Sequence, residues 1–392
     1  MLSNEENSLL RLQSFSFFAS SLAGIFLQIF LFKLTGFTGV VLYNLCSYTM
    51  LLVLYISSGF LLRKYSTTDL IRWGLLTATI NYSLIVFLKE SSAHFIIIIG
   101  LIAGVSNGFF WSGFNLTQYV ITHSKNRDHY FGKGFSLINI SSALGPLVGG
   151  MVITQIRELT HQANIGYYIL FLVVILINVY LFLTMDNLPS FTGINFSFKD
   201  VFSELTNKKW RIVLYQNFLL GLWDIAFLTL TSILLFIIIQ DEYKLGLVRS
   251  AMLLLGALIG LQVGKLLAKN RNLYIFGAVG TTLGIIFFAL NQNYFGILLY
   301  SLLTGVSYPF FSVPFSSVIL NTIDDNKEPW QQKYHMFLER DGVLGVARVI
   351  SYVVLLILFA NFDKVTVARN WMILISIMPL ILAFLLHKSY KK

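Results

Sequence analysis

The sequence has only one cysteine, few charged residues and almost no long polar tracts. Cys46 lies inside an apolar segment, which excludes a disulfide framework and a cysteine-based metal site. Asp, Glu, Lys and Arg together make up 12% of the 392 residues, about half of the share that is usual in soluble domains. A water-soluble fold of this length is therefore excluded.

Apolar residues make up 56% of the chain, and the mean hydropathy is +0.74. Since a bilayer core about 30 Å thick requires about 20 apolar residues per helix, the apolar blocks predict an all-α membrane protein with twelve transmembrane helices. The predicted helices span residues 14–33, 38–62, 69–88, 93–122, 131–154, 165–184, 212–239, 246–268, 272–291, 294–322, 340–360 and 367–387.

The net charge of +10 does not indicate a nucleic-acid partner, because the basic residues are scattered through short loops. Most of the 28 Lys and Arg residues face the cytoplasm when both termini are placed there, as the positive-inside rule requires. The chain begins with polar residues and lacks a basic leader, so its first helix is expected to be retained. We expect a multi-pass monomer in the lipid bilayer of a prokaryotic cytoplasmic membrane.

The helix order divides the chain into an N-terminal six-helix bundle (1–186), a cytoplasmic connector (187–211) and a C-terminal six-helix bundle (212–392). Ser197 and Asp200 have the spacing of a helix cap within the connector. Apolar residues with helical spacing follow there, namely Phe198, Val201, Phe202 and Leu205. A short amphipathic helix on the membrane surface fits this pattern, and a flexible linker is the alternative.

A duplication relates the two halves. The segment 104–114 of the fourth helix, GVSNGFFWSGF, matches the segment 305–315 of the tenth, GVSYPFFSVPF, at six of eleven positions with an offset of 201 residues. A weaker echo relates 59–64 to 264–269, with an offset of 205. Because each half has an even number of helices, the repeat is parallel, about an axis along the membrane normal. Chance similarity between Gly- and Phe-rich helices is the alternative.

Six plus six helices, parallel halves, a central connector and basic loops after helices 2 and 8 together resemble the major facilitator superfamily, over essentially the whole chain. Helix 5 carries a pattern similar to the antiporter motif of that family. It comprises Gly132, Ser141, Gly145, Pro146, Gly149 and Gly150. Ser141 stands where a glycine is usual.

Small residues recur every four positions on helix 5 and on helix 8, where they are Gly256, Gly260 and Gly264. Such stripes allow close helix packing. The resemblance implies that helices 5 and 8 meet between the halves, so we expect the two stripes to face each other; ordinary packing without a gating role is an equal alternative. The helix 5 motif favours an exporter. Arg63 at a usually acidic position, and Gly100 where drug–proton antiporters carry arginine, argue against proton-coupled drug export.

Candidate residues for binding a substrate or a proton lie at membrane depth, where charge is costly and usually functional. Asp224 lies near the middle of helix 7, and the resemblance implies that helices 1, 4, 7 and 10 line a central cavity. A structural carboxylate is the alternative. Further candidates supply uncharged polar groups or aromatic rings, namely Asn115, Gln118, Trp111, Tyr308, Phe311 and Gln28. An aromatic cavity with few polar groups suits an amphipathic organic ligand.

Charged residues at the cytoplasmic helix ends are candidates for interdomain ion pairs that close an inner gate. They are Arg63, Lys64, Asp128, Lys265, Glu339, Arg340 and Asp341, with Arg348 deeper in helix 11 as a structural or interfacial partner. Acidic residues at helix N-termini also stabilise the helix dipole, which is the simpler explanation.

Transport of a small amphipathic organic molecule, by export, is the preferred function, with a coupling proton as a candidate partner. Uptake of a sugar-like nutrient is the alternative within transport, and a non-transporting binder or sensor on the same scaffold is the rival outside it. Scattered histidines and the lack of a nucleotide-binding P-loop argue against an enzyme or a nucleotide-driven pump. We expect neither a cofactor nor a metal ion.

Overall fold

The computed structural model describes residues 2–122, 124–162, 164–185, 188–197, 199, 201 and 203–390. The side chains of residues 124–129, 131, 132, 204, 225, 268, 317 and 390 are not included in that description. The described α-helices are α1 (Asn4–Leu61), α2 (Thr67–Leu88), α3 (Ile96–Ile121), α4 (Ser124–Thr160), α5 (Ile165–Thr184), α6 (Lys208–Ile239), α7 (Glu242–Lys269), α8 (Leu273–Leu290), α9 (Tyr294–Asp325), α10 (Trp330–Asn361), α11 (Lys364–Ile375) and α12 (Met378–Tyr390).

The twelve membrane crossings follow from these helices. Among the described residues, eleven helical segments are long and apolar enough to cross a membrane. The first of them, α1, has 58 residues and is broken at Gly36, where φ is 66° and ψ is −166°. Glycine adopts this conformation without the penalty that a Cβ imposes, so α1 contains two crossings. Helices α11 and α12 together form the last crossing, and the predicted all-α, twelve-helix fold is confirmed.

Several helices begin earlier than predicted, because polar first turns extend them beyond the apolar block. Helix α1 begins at Asn4 and not at 14, with Ser3 and Glu6 forming a reciprocal capping box. Helix α10 begins at Trp330 and not at 340. At the start of α11, outside the membrane-spanning segments, the backbone N–H of Thr366 donates to Asp363 and lowers the pKa of that carboxyl.

The internal repeat of the sequence corresponds to equivalent helix–helix contacts in the two halves. A Cβ on Gly104 of α3 would collide with the carbonyl oxygen of Ser47 in α1, and a Cβ on Gly305 of α9 would lie 3.1 Å from that of Met252 in α7. The two glycines are 201 residues apart and their partners are 205 apart, which are the offsets of the two sequence echoes. The two halves, α1–α5 and α6–α12, therefore share an internal packing scheme.

The connector is docked on the N-terminal half over residues 188–197. Ile194 and Phe196 are buried there, and the backbone N–H of Gly193 donates to the carbonyl of Leu62 (3.2 Å). These residues are not helical. Phe198, Asp200 and Phe202 of the predicted amphipathic helix lie outside the described residues, and a short 3-10 helix spans Ser203–Thr206.

Candidate functional site

Helices α1 and α10 run antiparallel along the interface between the two halves. The side on which both chain ends lie is called here the terminal side, and the opposite side the far side. From the far side to the terminal side, the paired residues are Phe37 and Phe359 (ring centroids 5.5 Å apart), Tyr48 and Tyr352 (5.7 Å, stacked), and Ser58 and Tyr334 (hydroxyl oxygens 2.7 Å apart). The second crossing of α1 thus contacts the opposite half at three depths.

An ion pair lies at the middle of this interface. Arg348 of α10 donates to both carboxylate oxygens of Asp224 in α6, at 2.5 and 3.3 Å. The side chains are 16% and 18% exposed, so the charges are largely shielded from water. Across the interface, the guanidinium lies over the ring of Tyr48, 5.3 Å from its centroid, in a cation–π contact. Both halves therefore contribute to the central charge site.

Aromatic side chains surround this pair on the C-terminal half. Trp223, the neighbour of Asp224, is buried and packs against Phe311 (ring centroids 6.4 Å apart) and Tyr308 (6.2 Å). The hydroxyl groups of Thr229 and Tyr352 lie 2.9 Å apart, so they form a hydrogen bond that also ties α6 to α10. The predicted candidates Asp224, Tyr308 and Phe311 are therefore close together, with aromatic and polar groups side by side.

Polar side chains meet again on the terminal side of the central pair. The amide nitrogen of Asn115 donates to the hydroxyl of Tyr55 (3.1 Å). Arg340 forms an ion pair with Asp341 (2.7 Å). A cavity of about 30 Å³ lies here between the halves. It is lined by Asn115, Gln118, Tyr119, Thr122, Leu320, Phe337 and Arg340.

A cluster of charges closes the far side of the interface. Glu242, the first residue of α7, is 1% exposed and forms ion pairs with Lys33 (2.5 Å) and Arg157 (2.7 Å) of the N-terminal half. The hydroxyl of Tyr167 also donates to this carboxylate (3.0 Å). The sequence prediction missed this far-side cluster, because each residue looks like an ordinary charge at a helix end. The sequence did contain one indication, namely that Glu242, Lys33 and Arg157 all lie at the far-side ends of apolar blocks.

The remaining predicted binding residues lie within the N-terminal half. Gln28 accepts a hydrogen bond from Asn44 (2.8 Å), which joins the two crossings of α1. Trp111 packs edge-on against Phe17 (ring centroids 6.0 Å apart) and Phe114 (5.7 Å). Gln118 donates to Tyr130 at 3.5 Å. Among the described residues no group of three or more His, Cys, Asp or Glu has the geometry to hold a metal ion.

Arg63 and Asp341, which the sequence predicts to take part in inner-gate ion pairs, make other contacts in the structure. Arg63 donates to the carbonyl of Phe196 in the connector, while Asp341 pairs with the adjacent Arg340. Both charges are thus satisfied locally. The other candidates make different contacts or lie elsewhere: Lys64 lies over the ring of Tyr65, Glu339 accepts from the indole N–H of Trp210 (2.5 Å), Lys265 is exposed, and the side chain of Asp128 lies outside the described residues.

The prediction that the two small-residue stripes face each other is wrong. A Cβ on Gly145 or Gly149 would collide with α1, at Ser21 and Phe26 respectively, and Ser141 accepts from Ser21 (3.3 Å). The reason is that the stripe and its neighbours Pro146 and Gly150 lie on different faces of α4.

Helices α4 and α7 do pack together, but through other positions. A Cβ on Gly150 would lie 2.5 Å from the carbonyl oxygen of Glu242, and Gly246 abuts the carbonyl of Pro146. Gly260 meets the ring of Phe135. Gly256 lies nearest to Gly305 of α9, and a Cβ on Gly264 would meet no atom within 4 Å.

Two repeated helical halves, with buried charge and polar groups along their common interface, define a membrane carrier of the two-bundle type. Residues 9–328 match the family model of the Major Facilitator Superfamily. The chain belongs to that superfamily of transporters.

Several known proteins resemble this chain in sequence or in fold. YqgE of Bacillus subtilis (strain 168), an uncharacterized protein, is 27% identical over 353 residues, which cover 87% of this chain and 79% of YqgE. The nucleoside transporter NupG has a similar fold, with 15% identity, full coverage of both chains and a TM-score of 0.66. A structure from work on proton dependent oligopeptide transporters has a TM-score of 0.73 at 12% identity, covering 99% of this chain and 98% of that one. At such identities the two structures establish likeness of fold alone.

Proposed function

We propose that this protein is a secondary active transporter that exports a small amphipathic organic molecule by alternating access. The observation that carries the proposal is the pair of Asp224 and Arg348 at mid-membrane depth, covered by Tyr48 of the opposite half. Two charges taken out of water are costly unless they are paired, and ionisable residues at this depth usually mark a substrate or proton path.

The surroundings of the pair support an amphipathic substrate. Trp223, Tyr308 and Phe311 offer apolar and aromatic surface beside Asp224, while Asn115, Gln118 and Arg340 offer hydrogen-bonding groups nearer the terminal side. A site with much apolar lining and few polar groups binds ligands of mixed character.

The two ends of the interface indicate which side opens more readily, and the exporter-like motif of helix 5 supports export. The far side is closed by the buried Glu242 with its two cations, whereas the cavity between the halves lies toward the terminal side, which the distribution of Lys and Arg predicts to be cytoplasmic. To admit a substrate from the cytoplasm the terminal side must open further, because the cavity there has a volume of only about 30 Å³. The protein works in a bacterial cytoplasmic membrane, as a monomer and as a carrier, not as an enzyme.

A proton at Asp224 is the proposed coupling event. Protonation removes the negative charge and weakens both hydrogen bonds to Arg348, so that the guanidinium and the Tyr48 contact can rearrange between the halves. The reverse step restores the ion pair.

The test is transport by purified protein in liposomes, with proton movement recorded while cationic and neutral amphiphiles are supplied on each side. We compare the wild-type protein with Asp224→Asn and, as a matched control, with Asp363→Asn, an exposed carboxylate at a helix start. We expect substrate-driven proton movement in the wild type and in Asp363→Asn, and its loss in Asp224→Asn.

Loss of folding must be separated from loss of function, because Asp224→Asn leaves a buried arginine unpaired. The double variant Asp224→Asn with Arg348→Gln removes both charges. If this double variant transports with normal proton coupling, the pair is structural and the proposal fails. Saturable binding without flux in the wild type would instead support a sensor, and flux only toward the terminal side would support uptake.

A further inference from the structure

A cavity of about 140 Å³ lies within the C-terminal half on the terminal side, away from the interface between the halves. Side chains of α6, α9 and α12 and of the turn before α8 line it. Its apolar residues are Ile212 and Val318, and its polar residues include Thr322 and Ser389. The cavity is therefore at the level where helix ends meet the lipid headgroups, with apolar and polar lining together.

Two cations and one carboxylate border this cavity. Lys209 and Arg271 approach it from different elements, and Lys209 forms an ion pair with Asp325 at 3.3 Å. The two partners are 51% and 62% exposed, so their pairing is weak and exchangeable. Lys208 and Arg211 flank Lys209 in the sequence. The local charge is thus positive, and an anion can compete with Asp325 for Lys209 at little cost.

A buried amide lies on the same helix face as the cavity lining. Gln216 follows Ile212 by one turn of α6, which places the two residues on one face. It is 0% exposed, and neither its nitrogen nor its oxygen has a hydrogen-bond partner among the described residues. A buried polar group without a partner is destabilising, and this amide lies about one helical turn deeper than the residues of α6 that line the cavity.

We propose that this cavity binds the phosphate group of an anionic phospholipid, with Lys209 and Arg271 as the cationic ligands. The hydroxyl groups of Thr322 and Ser389 add hydrogen bonds, and the apolar lining receives the glycerol end of the lipid. Basic pockets between transmembrane helices on the cytoplasmic side commonly bind such headgroups. The site lies in one half alone, so lipid can stay bound while the two halves move.

The test is native mass spectrometry of the detergent-solubilised full chain, titrated with phosphatidylglycerol, phosphatidylcholine or inorganic phosphate. The variant is Lys209→Gln with Arg271→Gln. The matched control is Arg11→Gln with Lys133→Gln, which removes two exposed cations from the terminal side of the N-terminal half. Gel filtration and the melting temperature verify that each variant is folded.

We expect phosphatidylglycerol to bind the wild type and the control equally, and to bind the cavity variant about 30-fold more weakly, since each cation near an anionic lipid contributes a factor of about five. Phosphatidylcholine should bind all three proteins weakly. Displacement of the lipid by inorganic phosphate would support a phosphate site that free phosphate can also occupy. Equal lipid binding by the cavity variant and the wild type would overturn the proposal, as would an equal loss in the control.

Discussion

The two ends of the interface between the halves are closed by different chemistry. On the far side, one buried carboxylate of the C-terminal half, Glu242, holds two cations of the N-terminal half. On the terminal side, the contacts among the described residues include hydrogen bonds of hydroxyl groups, between Ser58 and Tyr334 and from Tyr119 to Asp324. Loss of one partner from a buried ion pair is strongly destabilising, because the remaining charge is left without compensation. A single neutral hydrogen bond contributes much less to stability. Among the described residues, the far side is thus closed by buried ion pairs and the terminal side by hydrogen bonds and aromatic packing.

The largest effect is expected from removing the carboxylate of the far-side cluster. Glu242→Gln leaves Lys33 and Arg157 without their counter-charge, at a cost of about 3 kcal/mol, the lower end of the range for a broken buried pair because both cations are partly exposed. The far side should open. Spin labels at Thr160 and Tyr243, in a Cys46→Ser background, should move apart in pulsed electron resonance. An unchanged distance distribution would contradict the assignment of this cluster as the far-side closure.

A slightly smaller effect is expected from steric separation of α4 and α7. Gly150→Ala introduces a Cβ 2.5 Å from the carbonyl oxygen of Glu242, and overpacking of this kind costs about 1–3 kcal/mol. The same pair of labels should report partial opening and the melting temperature should fall. Gly264→Ala is the matched control, because its Cβ would meet no atom within 4 Å. Equal behaviour of the two variants would mean that this contact does not limit opening.

On the terminal side, removal of one hydroxyl should have a modest effect. Tyr334→Phe deletes the hydrogen bond to Ser58, which contributes about 1 kcal/mol, and should favour opening on that side only. Labels at Lys64 of the N-terminal half and Lys327 of the C-terminal half, both exposed, would measure it in the Cys46→Ser background. Ser58→Ala should have the same effect, and the double variant should add little to either single change. Full additivity would argue that the two hydroxyl groups do not act as a pair.

An effect of similar size is expected at the centre, where Tyr48 covers Arg348. Tyr48→Phe keeps the ring and therefore the cation–π contact, whereas Tyr48→Leu removes it at a cost of about 0.5–2 kcal/mol. The apparent substrate affinity and the pH profile of transport should change in Tyr48→Leu and hardly change in Tyr48→Phe. If both variants change alike, the phenolic hydroxyl and not the ring face is what matters.

The number and order of the helices could be predicted from the sequence, because the length of an apolar block is set by the bilayer. The start of α10 could not, since five of its first ten residues are amides, charged residues or histidine. Lys333, His335 and Glu339 are nevertheless buried there, in contact with protein and not with lipid. Hydropathy cannot distinguish such a segment from a loop.

The central site could be predicted in part. Asp224 and Arg348 stood out as charges within apolar helices, and the structure joins them. Tyr48 did not stand out, because the sequence does not show which of its 19 tyrosines contacts the arginine. The far-side cluster was missed for a related reason. Its ion pairs join residues 85 and 209 positions apart in the sequence, and only the packing of the two halves brings such distant residues together.

The antiparallel pairing of α1 with α10 makes the second crossing of α1 a mechanical lever. Residues 37–61 form one continuous helical stretch that contacts the opposite half at Phe37 near one end, at Tyr48 in the middle and at Ser58 near the other. At 1.5 Å per residue this stretch is about 37 Å long. A rigid rod that tilts about its midpoint must move its ends in opposite directions. Opening at one membrane surface and closing at the other are then the same movement, and no separate signal has to pass between them.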